Sequence, residues 1–359
     1  MATLYVSGVE PVSKASAARR LAATAAYGGT GLGLLSGSLY VVLAAQAKLA
    51  RHRIGNAEVA PPDPSGLYGV GFPGAPLRLA VLGDSGAAGY GATVVAETFG
   101  AFLATGLADL ARRPVALECY AAVGAQTTDL EAQITQALAS DPEICAVIIG
   151  TNDVTHRVHP STSVRALRSA VERLRSVGTQ VVVGTCPDLG TIRPVGHPLR
   201  LVARTWSRRL AAAQAIAVVE GGGRAVSLAT ILGPEFAAAP MDMFGPDQFH
   251  PSSAGYKSCA AAMLPTVAAA VGVIPADSMK PEPARGERVL SLPKAAAAAA
   301  GSPGTEVSRA DLGGGPRRPR GGWAWLRHRR RHQIPAVGGV EPVRPDDGEV
   351  APGAAEVRR

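Results

Sequence analysis

The sequence has no CxxC pair; its four cysteines (Cys119, Cys145, Cys186, Cys259) fall singly along 359 residues. That scatter excludes a zinc ribbon or finger, whose ligands come in close pairs. Three of them lie in or beside apolar runs and the fourth in a helical stretch near residue 260, the usual places of buried free thiols. An even count also permits disulfides in an exported chain. The middle of the chain lacks a basic excess: residues 55–274 carry fifteen basic and seventeen acidic side chains. Phosphate binding needs clustered Lys and Arg, so no nucleic-acid partner is expected for this part. The net charge of +8 comes from the two ends, +5 in residues 1–54 and +5 in residues 275–359.

Charge is missing altogether from Leu21 to Ala47, a span of 27 residues. A helix of about 20 apolar residues crosses a bilayer core, so the span is long enough. Only its second part, Leu34–Ala45, is strongly apolar. Three readings compete: a signal peptide with Ala45-Gln46-Ala47 at its cleavage site, an uncleaved anchor with small-residue packing positions, or an amphipathic helix docked on a cytosolic domain. Membrane association through 21–47 is the favoured expectation, with export to the cell envelope or a cytoplasmic place as the outcomes. Basic residues flank both ends (Lys14, Arg19, Arg20; Lys48, Arg51, Arg53), so charge asymmetry sets no orientation.

The chain divides by composition into a polar start (1–20), the uncharged span (21–47), a proline-rich linker (48–76), a domain (77–274) and a tail (275–359). The tail is dominated by Pro, Gly, Ala and Arg, includes the homopolymer Ala295–Ala300, and has no persistent apolar face. It is expected to be disordered and dispensable for catalysis. One cluster within it, Trp323, Trp325 and Leu326 beside Arg327 and Arg329–Arg331, has the chemistry to touch anionic lipid or nucleic acid, or to form a solvated charge run.

Within 77–274, strands at Leu77–Leu82, Val115–Ala122, Ile144–Ile149, Gln180–Gly184 and Ala225–Leu228 alternate with helical stretches. The helix after Ser161 or Ser163, a candidate cap, is the clearest, with Val164, Leu167, Val171, Leu174 and Val177 on one stripe and Gly178 at its end. Such alternation predicts an α/β fold, a three-layer α/β/α sandwich around a five-stranded parallel sheet.

The chemistry lies at strand ends, where parallel sheets place their ligands. Gly83-Asp84-Ser85 breaks the first strand, Gly124 follows the second and Gly150-Thr151-Asn152-Asp153 the third. Asp247-Gln248-Phe249-His250-Pro251 precedes the last helix. A serine hydroxyl is a weak nucleophile until an imidazole accepts its proton, and His250 is the candidate base. Asp247, three residues earlier, can hold the imidazole Nδ1–H. The Ser85 N–H, the Gly124 N–H and the Asn152 amide are candidate oxyanion donors. The G-x-S-x-G elbow is absent, since residue 87 is Ala.

Four motifs in order (GDS at 83–85, the glycine of AVGAQ at 124, GTND at 150–153, DxxHP at 247–251) resemble the SGNH/GDSL hydrolase family over about 75–270. GTNDVTHRV, VVVGTCPDLGT and FHPSSAGY resemble its actinobacterial exported or membrane-linked branch. The resemblance implies Ser85 as nucleophile, Asp247 and His250 completing a triad, and Gly124 and Asn152 as oxyanion donors. It also implies a flavodoxin-like sheet of order 2-1-3-4-5, no cofactor, and ester or thioester substrates; the expected partner is a small-molecule, lipid or glycan ester, and no metal site is expected. Gly86 after the serine departs from the common motif.

Plainer roles are expected elsewhere. Asp84 orders its turn, Asp153 supports Asn152, and Asp188 and His197 are structural. His156 and His159 lack a third ligand for a metal site. Met241, Met243, Phe244 and Phe249 line an acyl pocket or belong to the core. The alternatives are a membrane-attached scaffold retaining the fold, with the tail as its interaction arm, or an O-acetyl esterase or acyltransferase of cell-envelope glycans. No oligomeric state follows from the sequence.

Overall fold

The computed structural model describes residues 39–50, 52, 60–192, 194–228, 243–274, 288–302, 304–309 and 323–328. The chain forms two compact units, Met1–His52 and Arg53–Arg359. In the first, 39–50 is a helix whose Leu39, Tyr40, Val41, Val42 and Leu49 are exposed. Residues 21–38 of the uncharged span lie outside the described residues. Among the described residues, no helix is long and apolar enough to cross a membrane.

The second unit is built on strands β2 (Leu77–Gly83), β3 (Val115–Cys119), β4 (Ile144–Ile148), β5 (Gln180–Gly184) and β6 (Arg224–Val226). These five run parallel in the order β3-β2-β4-β5-β6. Numbered among themselves, they follow the 2-1-3-4-5 order that the family resemblance implies. Helices cover both faces, and β2 shows why. Leu77, Leu79 and Val81 point to one face and pack with α2 (Phe99–Ala111) and α7 (Ser253–Ala270). Ala80 and Leu82 point to the other face, toward α3 (Leu130–Ala137), α5 (Pro160–Ser176) and α6 (Leu199–Glu220). With both faces buried, a strand is apolar throughout rather than alternating. Each buried Leu or Phe stabilises by about 1.5–3 kcal/mol.

The sheet is wider than the sequence indicates, with nine strands among the described residues. β1 (Gly66–Tyr68) pairs antiparallel with β3 inside the stretch expected to be a linker. The Tyr68 hydroxyl, which donates to the Pro64 carbonyl at 2.7 Å, fixes it there. On the far edge, β8 (Thr305–Arg309) pairs antiparallel with β6, then β9 (Trp323–His328) and β7 (Arg288–Ser291) follow. The disordered tail is therefore corrected for these residues. A bare β6 edge offers a row of unpaired N–H and C=O groups that a further strand satisfies. The alanine run, read from composition as featureless, forms α8 (Leu292–Ala299) and buries Ala295, Ala296 and Ala299.

The helix α5 starts differently from the sequence reading. The His159 ring accepts from the Ser161 N–H at the cap, and Ser163 turns inward instead.

Register brings the strand ends into one row, with Gly83 opposite Ile148 and Ile148 opposite Gly184. Gly83 has φ of 137°, and a Cβ there would stand 1.9 Å from the Ile148 carbonyl oxygen. Only glycine fits where β2 must turn away beside β4.

Candidate active site

Directly after Gly83 the chain enters α1 (Ser85–Ala88), a single turn of helix. Asp84 caps it, its Oδ1 accepting from the Gly86 N–H at 3.0 Å, as expected of a turn-ordering residue. Gly86 packs closely: a Cβ on it would meet Asp84 Oδ1 at 3.3 Å. Ser85 is the first residue of this turn and is 7 % exposed.

His250 arrives from the other end of the chain on a tight turn. Phe244 bridges Pro251, the Gly245 N–H donates to the His250 carbonyl at 2.8 Å, and the Ser252 N–H donates to the Met243 carbonyl at 2.9 Å. Inside it, Asp247 Oδ1 accepts the Phe249 and His250 N–H groups, each at 3.0 Å. Its Oδ2 lies 2.5 Å from His250 Nδ1, and His250 Nε2 lies 3.0 Å from Ser85 Oγ. The carboxylate thus holds the Nδ1 proton and leaves Nε2 free to accept from the serine hydroxyl. Burial pushes the Asp247 carboxyl up. The hydrogen bonds from the His250 ring and the Phe249 N–H outweigh it and hold the group below the usual carboxylate range.

Two aromatic rings seat the imidazole. Tyr90 lies 4.5 Å away, tilted at 59°, and Phe249 meets it edge-on at 4.9 Å. The buried Tyr256 hydroxyl donates to the Tyr90 carbonyl at 2.7 Å, tying this seat to α7.

Gly124 sits on the loop after β3, and Asn152 on a single helical turn, α4 (Thr151–Thr155), after β4. Gly124 has φ of 84°, with open space where a side chain would stand. The Asn152 amide donates one hydrogen to the Ala125 carbonyl at 2.9 Å, which leaves its second hydrogen available. Buried Asp153, on the same turn as Asn152, ties it to the turn at Thr127 and to α5, accepting from the Thr127 N–H at 3.1 Å, the Thr127 hydroxyl at 3.0 Å and the Ser163 hydroxyl at 2.5 Å. Asp153 therefore supports its neighbour, as its place in the motif implies.

A cleft open to solvent reaches Ser85 and His250. Its walls are mostly apolar, with Ile148, Leu189, Ile192, Leu228 and Phe249 among them; Met243 and Phe244 pack on each other instead. Met241 lies outside the described residues. Buried Asp188 borders the cleft and is held structurally by Arg208 at 2.8 Å. His156 Nδ1 lies 3.0 Å from the Asn152 carbonyl oxygen, while His159 caps α5. Among the described residues no group of three potential metal ligands exists. The cysteines are free thiols; three are buried and Cys119 is partly exposed.

The model of the GDSL-like lipase/acylhydrolase family matches residues 81–258. The GDSL-like esterase Rv1075c of Mycobacterium tuberculosis is 38 % identical over 228 residues, covering 60 % of this chain and 72 % of that protein. The chain belongs to the GDSL-like lipase/acylhydrolase family. Solved structures resembling this GDSL-like hydrolase include LAE5, an alpha/beta hydrolase from the Lake Arreo metagenome (19 % identity, TM-score 0.45, 56 % of this chain and 97 % of that one). Another is a single-residue variant of Axe2, an acetyl xylan esterase from Geobacillus stearothermophilus (18 % identity, TM-score 0.42, 54 % and 95 %).

Sequence reasoning missed the layer behind this site. Gln133 and Gln214, both buried, bind backbone groups at the ends of β2, β4 and β5. The signal for Gln133 was present: it falls on the apolar stripe Leu130, Ile134, Ala137, where a polar side chain needs a partner.

Proposed function

We propose that this hydrolase is a serine esterase acting through an acyl-enzyme on Ser85. The observation that carries the reading is the continuous chain Asp247–His250–Ser85, with 2.5 Å and 3.0 Å links. His250 Nε2 takes the hydroxyl proton as Ser85 Oγ attacks the ester carbonyl. Asp247 keeps the imidazole in the required tautomer and stabilises the imidazolium that forms. The Ser85 N–H, the Gly124 N–H and the free Asn152 amide hydrogen are assigned to the oxyanion. Their task is to stabilise charge that develops only as the carbonyl carbon becomes tetrahedral. Collapse of that intermediate expels the alcohol, protonated by His250. Water then repeats the sequence and releases the acid.

The apolar cleft favours an uncharged acyl chain over a charged one. Membrane association or export through 21–47 remains a proposal, supported by the absence of charge from that span.

The test is hydrolysis of p-nitrophenyl esters, from acetyl upward, by the full chain and by Ser85→Ala. Serine-dependent turnover supports the esterase. A folded chain without it returns the scaffold reading to first place.

A further inference from the structure

The tail meets β6 where that strand enters the site. The Ser227 N–H donates to the Thr305 carbonyl at 2.9 Å, and the Gly304 N–H donates to the Ser227 carbonyl at 3.0 Å. From the other side, the Thr185 N–H holds the Val226 carbonyl at 2.9 Å. The next residue is Leu228, which is buried and walls the cleft with Ser85 and His250. Gly184 makes room for it: a Cβ there would stand 2.5 Å from Leu228 Cδ1. Residues 304 and 305 therefore fix both backbone groups of Ser227, immediately before that wall.

Glu306 anchors the arrangement. It lies opposite Val226 and is 1 % exposed. Its carboxylate accepts from Arg224 Nη1 at 3.2 Å and from the Thr266 hydroxyl at 2.9 Å. Thr266 is fully buried on α7, the helix that follows the His250 turn. A carboxylate this deep is tolerated only where its donors stand ready, so Glu306 pins the register of β8 on β6.

We propose that residues 304–308 form a strap that sets the acyl preference of the site, with Glu306 as its positioning residue and Leu228 as the wall it holds. The inference rests on the esterase reading of Ser85 and His250. It replaces the expectation that the whole tail is dispensable for hydrolysis.

The experiment compares full-length Glu306→Ala, Glu306→Gln and Leu228→Ala on p-nitrophenyl esters from acetyl to octanoyl. The rate at which a small organophosphonate labels Ser85 is followed in parallel. Glu306→Ala and Leu228→Ala should shift the octanoyl-to-acetyl ratio of kcat/KM in the same direction by about tenfold, mainly through KM. Ser85 labelling in Glu306→Ala should stay within about threefold, because the triad is untouched. Glu306→Gln keeps an acceptor oxygen and the packing, and should recover most of the profile. An unchanged profile in folded Glu306→Ala overturns the strap, as does a uniform loss at every acyl length with slowed labelling. If Glu306→Ala does not fold, Thr266→Val removes only the hydroxyl donor and is judged by the same outcomes. Absence of Ser85-dependent turnover in the unaltered chain sinks the esterase reading and this inference with it; an unchanged profile sinks the strap alone.

Discussion

Gln133 grips the Gly83 peptide from both sides. Its Oε1 accepts the Gly83 N–H at 2.7 Å and its Nε2 donates to the Gly83 carbonyl at 2.9 Å. Two residues later stands Ser85, so a helix side chain fixes the backbone from which the proposed nucleophile projects. Gln133→Leu keeps the volume and removes both partners in a buried setting. It should lower unfolding free energy by about 2–4 kcal/mol, read by urea denaturation. A loss below about 0.5 kcal/mol would show that water or backbone movement replaces the glutamine.

Ser85→Ala and His250→Ala should each reduce turnover of a p-nitrophenyl ester at least about a thousandfold. Their thermal midpoints should match the unaltered chain, since neither side chain fills the core. Retention of most activity in either variant would remove the corresponding residue from the mechanism.

Asn152→Ala should lower kcat by about a hundredfold or more, with little change in KM, if its free amide hydrogen meets the oxyanion only as charge develops. The variant also gives up the bond to Ala125, so folding is checked alongside by circular dichroism. A change confined to KM would assign Asn152 to substrate binding instead.

Asp84 gives a prediction in pH. Burial pushes its carboxyl from 3.8 up to about 6, against the pull of the Gly86 N–H and the nearby His250 charge. Its Oδ2 is also buried without a hydrogen-bond partner among the described residues. Because the folded state binds this proton more tightly than the unfolded state, the contribution to stability is complete below about 3.8. It is lost as pH rises toward about 6. Asp84→Asn removes the titration. Relative to the unaltered chain, the variant should gain about 2–3 kcal/mol between pH 4 and pH 7 in denaturation experiments. A constant difference across that range would show that Asp84 does not titrate there.

Asp247 works with the opposite sign. Its folded pKa lies below the unfolded value, so its contribution is present above the ordinary carboxylate range and lost as pH falls through its own. Asp247→Asn should therefore cost stability at neutral pH, and the cost should vanish in strong acid. Equal cost at both pH values would show that charge is not what Asp247 contributes.

Much of this was legible in the sequence because the parts are local. Strands buried on both faces read as apolar runs, and all five of these runs lie in the sheet, with the second core strand outside the first. Ser85, Gly124, Asn152 and His250 could be picked out because each follows a strand or precedes a helix. What escaped depends on pairing between distant segments. Nothing around Glu306 announces that it lies across from Val226, and nothing near Gly66 indicates an edge beside Val115. The alanine run was misjudged for a related reason. Its methyl groups are too small to register as an apolar face, yet they let α8 lie close against its neighbours. Tyr90 and Tyr256 look like any tyrosines until the His250 turn is folded against them.

The antiparallel pairing of β6 with β8 also bears on how the protein is made. A nascent chain leaves the ribosome from its amino end, so Ser85, Asp247 and His250 have all been synthesised while the partner of Val226 is still to come. Until Glu306 and Val307 emerge, β6 is an open edge of the sheet. An edge of that kind is a template for strand pairing with another chain, and the arrival of β8 covers it.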